Sequence, residues 1–491
     1  MRTPSTSPDE SKPAREQRGE GTLTIEAPQQ CNGALEDSLI QQSSIINKQI
    51  IPFDVLDESP TTPTTVNVPK KRHWYTPVFN VTASVVPYGG LLSNCFSLGS
   101  VTLGGGIISM PHSFSTSGIA MAIIYLVVIT TLTVYSITLM GFAIRKTGAR
   151  TFEEMGDIVF GKGWGYVVGF VLALSCTGTA IAYVSAAGTL MAPILEQSPH
   201  TPAYLKTRNG NRLIVMLIWL CLLLPVVIPK RINSIRYVAV VGCTMVLYFV
   251  ITIIVHSCTN GLKQGMRGNM KYFTTGNQAI YGLSIFVFAY MCQGPVFSLS
   301  HEMTPHFSIR QLTIASAISM TVCMLFYIMA GTFGYFDFAD ETQGSILYNF
   351  DPVHQPYMMV AYIGMLIKIC AAFAVNMIPI RNFLYACLRW DLDTTPYWRH
   401  SLLIFAIAGV VLLAGLFIPS VNLAFGLVGS LCGGFIGFIF PAYFWMFSGG
   451  WSLQTVGIWH WLATYLLIVC GVIAIVFGTI ATIYSSFIDE S

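Results

Sequence analysis

Asn94 to Phe114 reads NCFSLGSVTLGGGIISMPHSF, and the fold turns on this stretch. It is apolar enough to sit in a bilayer, yet Gly104, Gly105 and Gly106 stand in its middle and Pro111 follows. Each glycine gives up about 1 kcal/mol of helix propensity relative to alanine, so the pattern predicts a span broken halfway. In hydrocarbon, the backbone groups freed by a break have to face protein, a cavity or a ligand. The stretch is therefore a candidate binding element.

The rest of the composition places that element in a membrane. The 491 residues are 53% hydrophobic and 10% charged, against about 25% charged for a soluble chain. Of the 26 basic and 23 acidic side chains, 18 fall in residues 1–73. That segment is rich in Ser, Thr, Pro, Glu and Gln without helical periodicity, which predicts a disordered tail outside the membrane. Its Ser7-Pro8, Ser59-Pro60 and Thr62-Pro63 pairs are either phosphorylation sites or part of a solvated tail. No signal-peptide pattern is expected there. Trp74 and Tyr75 suit an interfacial aromatic belt.

A net charge of +3, with no basic run longer than Lys70 to Arg72, gives no case for nucleic acid. The 12 cysteines are scattered, several of them (Cys95, Cys176, Cys432) inside apolar runs, so neither a disulfide framework nor a metal site is expected. Nucleotide loops, nucleophile motifs and metal-spaced clusters are missing from the sequence, which argues against an enzyme and against a cofactor.

A membrane-spanning helix needs about 20 apolar residues. Eleven stretches qualify, near 89–116, 119–144, 165–195, 213–229, 237–257, 279–300, 309–335, 357–384, 401–418, 421–446 and 459–487. With the N-terminus in the cytosol, the inner loops carry eleven Lys and Arg, among them Arg145, Lys146, Lys230, Arg231 and Arg236. The outer loops carry six, among them Lys206, Arg208, Arg212 and Arg267. That bias predicts a cytosolic N-terminus and an extracellular or lumenal C-terminus. The Asn80-Val81-Thr82 sequon is then expected on the cytosolic side, without glycan.

The sixth stretch, AIYGLSIFVFAYMCQGPVFSLSHEM over residues 279–303, is also interrupted, by Gln293-Gly294-Pro295. Proline removes a helical N–H and clashes with the preceding turn. Breaks in spans one and six are five helices apart, and five is odd, so two five-helix halves enter the membrane in opposite directions. Paired interrupted spans of this kind mark the substrate site of inverted-repeat transporters.

The expected fold is an all-α polytopic membrane protein with eleven transmembrane helices in a five-plus-five inverted repeat, helices one and six being broken. A tail over 1–73 precedes a membrane domain over 74–491, with repeats near 89–257 and 279–446 and an extra helix near 459–487. Half-helix N-termini suit a carboxylate and exposed carbonyls suit an ammonium group or cation. A free amino acid has both ends. A channel filter or a ring of like charges is not seen.

Five motifs now bear on identity: TLGGGIISMPHSF (102–114), TFEEMGDIVFG (151–161), LPVVIPKRINSIRY (224–237), NMIPIRNFLYACL (376–388) and IPSVNLAFGLVGSLCGGFIGFIFPAYF (418–444). In this order, from about 89 to 485, the chain resembles the amino acid/auxin permease family. The resemblance implies a LeuT-type fold that moves amino acids by alternating access, commonly with protons or sodium. In texture the chain is most similar to trypanosomatid permeases, relatives of which often carry arginine or lysine.

By position, the resemblance implies that Thr102, Leu103, Gly104, Gly105 and Gly106 hold the substrate, with Phe288, Ala289, Tyr290 and Cys292 opposite. Tyr183 either closes one side or is simply packed. Sodium-coupled members place Asn and Thr where this chain has Ser100 and Ala372. The loss of two oxygen ligands for a hard cation argues for proton coupling or uniport.

Lys368 lies near mid-span and one turn before Ala372. A charge there costs about 2.5–3.5 kcal/mol to insert, so it either stands in for the cation or is satisfied by carbonyls. His112 can titrate near neutral pH and is a further coupling candidate, with a structural role as the alternative. No acid is expected at mid-membrane, Glu302 lying at the end of span six. A basic substrate would thus be read by carbonyls, aromatic faces or hydroxyls, unless the pocket reaches Glu302. Gly429, Gly433 and Gly437 are expected to let helices pack closely.

The function expected is secondary active import of amino acids, basic ones (arginine or lysine) among the candidates, by a monomer among membrane lipids. The plasma membrane is favoured over a vacuolar or lysosomal one. The alternative is an amino-acid-sensing receptor of the same fold.

Overall fold

The computed structural model describes residues 89–230, 235–264, 270–303, 307–418 and 420–489. The expected tail over 1–73, the cluster Lys70 to Arg72, Trp74, Tyr75, the Asn80 sequon, Arg231 and Arg267 lie outside the described residues, as does the side chain of Arg236. Among the described residues every regular element is a helix. Long apolar runs account for this, since an α-helix satisfies all its backbone groups within one segment.

The elements in order are α1 (Leu91–Thr102), α2 (Met110–Ser117), α3 (Ile119–Thr147), α4 (Phe152–Phe160) and α5 (Trp164–Gln197). They continue with α6 (Arg208–Val227), α7 (Ile235–His256), α8 (Asn277–Ala289), α9 (Val296–Glu302) and α10 (Ile309–Phe338). The last four are α11 (Pro356–Leu388), α12 (Tyr397–Phe417), α13 (Val421–Phe447) and α14 (Ile458–Ser485).

Helix ends follow local chemistry. Thr151, Ser308 and Ser420 cap α4, α10 and α13 through their hydroxyl oxygens. Between α2 and α3, Gly118 holds φ 84°, and a Cβ there would lie 2.7 Å from the Tyr272 backbone. That tight turn lets Ile119 and Ala120 donate to the Lys271 and Tyr272 carbonyls, so the strand of chain before α8 is tied to the start of α3.

Helix α5 is the hub, packing against α4, α6, α11, α12 and α13. The broken pair α1/α2 packs on α10, and α8 packs on α2, α13 and α14. In α13, 78% of the most apolar window is buried, against 33% for α14. So α13 is central, while α14 turns Leu466, Val469, Val476 and Ile480 outward, as lipid contact requires. Wide π turns at Val428–Cys432 and Gly434–Ile439 interrupt α13, a feature the apolar pattern does not signal.

Nine helices are long and apolar enough to cross a membrane among the described residues, and ten if α1 and α2, bent by 50°, form one span. The sixth expected span differs from a continuous helix. Its first part, α8, has 13 residues and its second, α9, has 7, each short of the roughly 20 that cross alone.

Candidate functional site

The α1 break begins where Leu103 leaves helical geometry at ψ 79° and its N–H returns to the Gly99 carbonyl. Gly104 is extended, at φ −111° and ψ −155°, before a short 3₁₀ turn over Gly105–Ser109. The α8 break follows Ala289, with Cys292 N–H donating to the Gln293 side-chain oxygen at 3.0 Å.

The two breaks lie against one another. A Cβ on Gly106 would sit 3.3 Å from that of Ala289 and 3.5 Å from the Phe288 ring, so the missing side chain is what allows the approach. One hydroxyl joins them: Tyr327 Oη of α10 is 2.6 Å from the Thr102 carbonyl and 3.0 Å from the Ala289 carbonyl. With a single proton it donates to one of these at a time. The carbonyl-rich ends of both broken helices thus converge on one buried tyrosine.

A cavity of about 300 Å³ opens beside the breaks, at the lower end of the range of about 300–1,000 Å³ for small-molecule sites. Of the residues singled out from sequence, Thr102, Gly104, Gly106, Tyr183, Phe288 and Ala289 line it. Gly105 lies behind, its absent Cβ 2.8 Å from Tyr183 Cε1 and 3.5 Å from Phe425. Leu103, Tyr290 and Cys292 do not line the cavity. Tyr290 is turned to Thr130 of α3, their hydroxyls 2.8 Å apart, and Cys292 lies 3.9 Å from Met320 sulfur.

The cavity also takes Gln293, named from sequence for the break in the sixth span, and three polar side chains that the sequence reading passed over: Ser175, Thr179 and Asn376. A signal for two of them was present, since Ser175, Thr179 and Tyr183 recur every four residues along one face of α5. Phe425, which stacks on Phe288 with centroids 4.3 Å apart, carries no comparable mark in sequence.

A second cavity of about 590 Å³ is lined by His112, Arg208, Arg212, Tyr281, Ser345 and Asn422 among others. Along α5, α8 and α13, its lining residues and those of the smaller cavity are separated by the level of Tyr183, Phe288 and Phe425. These three rings are therefore the partition between the two spaces. His112 belongs to the larger one, its ring 6.2 Å from that of Tyr281, and so does not meet the breaks.

Lys368 is buried and its ammonium donates to the Ser100 carbonyl at 2.8 Å, near the C-terminal end of α1. Gly242 of α7 makes room, since a Cβ there would meet Lys368 Cδ at 2.8 Å. The negative end of a helix favours a cation at this place. Ala372, one turn on, is partly buried, and its carbonyl accepts from the Asn376 amide at 2.8 Å. No acidic residue lines either cavity among the described residues.

The model of the transmembrane amino acid transporter protein family matches residues 89–484. The chain is also similar to the sodium-coupled neutral amino acid symporter 2 of Danio rerio, with 23% identity over an alignment covering 72% of this chain and 74% of the relative.

Proposed function

The chain belongs to the transmembrane amino acid transporter family, and we propose that it imports amino acids across a membrane by alternating access without sodium. The convergence of the α1 and α8 breaks at one cavity carries this conclusion, Gly106 meeting the Ala289 methyl without a side chain of its own. Read as one interrupted span, α8 and α9 bring the number of crossings to eleven and make the two broken spans equivalent members of an inverted repeat.

In this scheme the substrate carboxylate is received at the start of the 3₁₀ turn over Gly105–Ser109, because N–H groups at a helix start suit an anion; the Gly104 N–H is already bonded to the Thr102 carbonyl at 2.8 Å. The amino group is drawn to the carbonyl ends that Tyr327 bridges. Tyr183, Phe288 and Phe425 close the path on the side of the larger cavity. With the N-terminus in the cytosol and the protein in the plasma membrane, that cavity faces outward.

Lys368 takes the place of the coupling cation, its ammonium already on a carbonyl of α1. This separates the chain from its sodium-coupled relative, and a proton is the coupling ion that a lysine can exchange. The relative is named for neutral amino acids. A basic amino acid would find carbonyls and aromatic faces rather than a carboxylate in either cavity.

Uptake by proteoliposomes tests the scheme, using a panel of radiolabelled neutral and basic amino acids competed against one another. The expected result is saturable accumulation that survives replacement of sodium by choline and is lost when the pH gradient is collapsed. Accumulation that requires sodium would refute the assignment of Lys368. Saturable binding with no movement across the bilayer would instead make the protein a receptor.

A further inference from the structure

Away from both cavities, a hydrogen-bonded histidine–aspartate pair is buried where α7, α10 and the connection over residues 339–355 meet. His256, at the end of α7, places Nδ1 2.5 Å from Oδ2 of Asp337 on α10, and both residues are buried. The other ring nitrogen, Nε2, lies 3.3 Å from the amide nitrogen of Gln355, the N-cap residue of α11. Phe350 meets the imidazole edge-on at 4.9 Å and Phe338 stacks on it at 6.2 Å. On the other side Gly261 is pressed against Asp337, an added Cβ there falling 2.6 Å from Oδ1.

Other charged and titratable groups stand on the neighbouring elements, Cys258 and Lys263 being exposed on the turn that follows α7. Tyr357 of α11 is within reach of the Asp337 charge. Asp351 and His354 of the connection pair with one another at 2.7 Å, and Lys271 pairs with Asp340 at 3.6 Å. Glu341 is exposed on the same connection.

Gln355 is the informative neighbour. With the imidazole neutral and its Nδ1–H donated to Asp337, Nε2 is an acceptor and receives the amide N–H. In the imidazolium Nε2 carries a proton, and the same amide turned by half a rotation offers its oxygen instead. As the amide stands, that oxygen is buried and has no hydrogen-bond partner, so turning it breaks none of its bonds. The pocket therefore accepts both protonation states.

They differ in strength, because a buried carboxylate is better compensated by an opposite charge than by a neutral donor.

The connection has fixed attachments as well. Asn422 donates to the Gly344 carbonyl at 2.7 Å, Gln197 to that of Phe350 at 3.1 Å, and Tyr362 to that of Leu347. Of these anchors, the one through His256 uses a ring nitrogen that either accepts a hydrogen bond or carries a proton. The same connection supplies Gln343, Gly344, Ser345 and Tyr348 to the wall of the larger cavity.

We propose that His256, Asp337 and Gln355 form a proton-binding site that controls substrate passage through the larger cavity. Proton uptake draws the 339–355 connection onto the ends of α7 and α10 and slows exchange. The inference rests on the transport reading above but is separate from the coupling role given to Lys368, since it concerns rate with no gradient across the membrane.

The test uses the full chain in proteoliposomes and nanodiscs, with the same pH on both sides, varied between about 5 and 8. Counterflow exchange of a radiolabelled neutral amino acid is measured together with hydrogen–deuterium exchange of residues 339–355, with α5 as the reference for intrinsic pH dependence. In the wild type, counterflow is expected to rise several-fold with pH while protection of the connection falls. His256→Gln should flatten both curves.

Gln355→Glu, which keeps the imidazole and adds a carboxylate beside Nε2, should move the midpoint to higher pH. It decides the matter if His256→Gln does not fold. Wild-type profiles in His256→Gln, or an unmoved midpoint in Gln355→Glu, would overturn the proposal. If the wild type exchanges no amino acid at any pH, the transport reading fails, while the protection of the connection still decides on the proton site.

Discussion

Gly104 and Gly105 are adjacent and chemically identical, yet the structure assigns them different tolerances. A Cβ on Gly105 would lie 2.8 Å from ring carbon Cε1 of Tyr183, whereas one on Gly104 meets only the hydroxyl tip at 3.2 Å. Gly105→Ala is therefore expected to lower uptake at sub-saturating substrate by about tenfold or more, equivalent to about 1.4 kcal/mol, and Gly104→Ala by less. The two variants measured side by side check this, and an equal or reversed order would mean that the tyrosine ring does not abut the glycine run.

Lys368→Met removes the ammonium from the buried Ser100 carbonyl, leaving an unpaired acceptor at a cost of about 1–3 kcal/mol. Counterflow should persist and uphill accumulation should disappear. Unchanged accumulation would reject the cation role. That Lys368 would need a partner was legible in the sequence, because a charge in an apolar run is costly to insert. Which partner was not legible, because Ser100 is 268 residues away.

At the scale of elements, the glycines of α13 show what a small-residue stripe is for. Gly429 lies against α8, where a Cβ would meet the Ser284 carbonyl at 2.1 Å and Phe288 at 2.8 Å. Gly433 faces Val287 at 2.9 Å, while Gly437 has 3.6 Å to Gln293. The stripe therefore seats the broken helix tightly at one end and loosely at the other.

Gly429→Ala should lower thermal stability by about 1–3 kcal/mol through overpacking. Gly409→Ala on α12, with nothing within 4 Å, should leave the melting temperature unchanged or raise it. Melting of both variants in detergent tests this, and equal effects would show that the contact with α8 does not matter. The stripe was readable from its spacing, but its partner helix was not. Nor were the π turns within α13, since they answer to packing rather than to hydropathy.

For the whole molecule, the decisive number is the count of crossings. Ten long or bent spans among the described residues would place both ends of the membrane domain on one face, and α8 with α9 as an eleventh would place them on opposite faces. Tags at the two termini of the full chain are expected to be cleaved from opposite sides of sealed vesicles. Cleavage of both from one side would exclude the inverted repeat in the form given above.

Hydropathy, glycine and proline are local properties of the chain, so the sequence by itself determined that this is a helical membrane protein with breaks near Gly104 and Pro295. Motif order was enough to point to the family. Only the tertiary structure decided that the breaks share one tyrosine, that Phe425 closes on Phe288, and that His256 meets Asp337. The partners of Tyr327 lie 225 and 38 residues away, and those of the histidine pair 81 residues apart. In a membrane, apolar pattern drives insertion but does not choose neighbours. Close packing and the need to satisfy each buried polar group do that, and both act between segments that the sequence keeps apart.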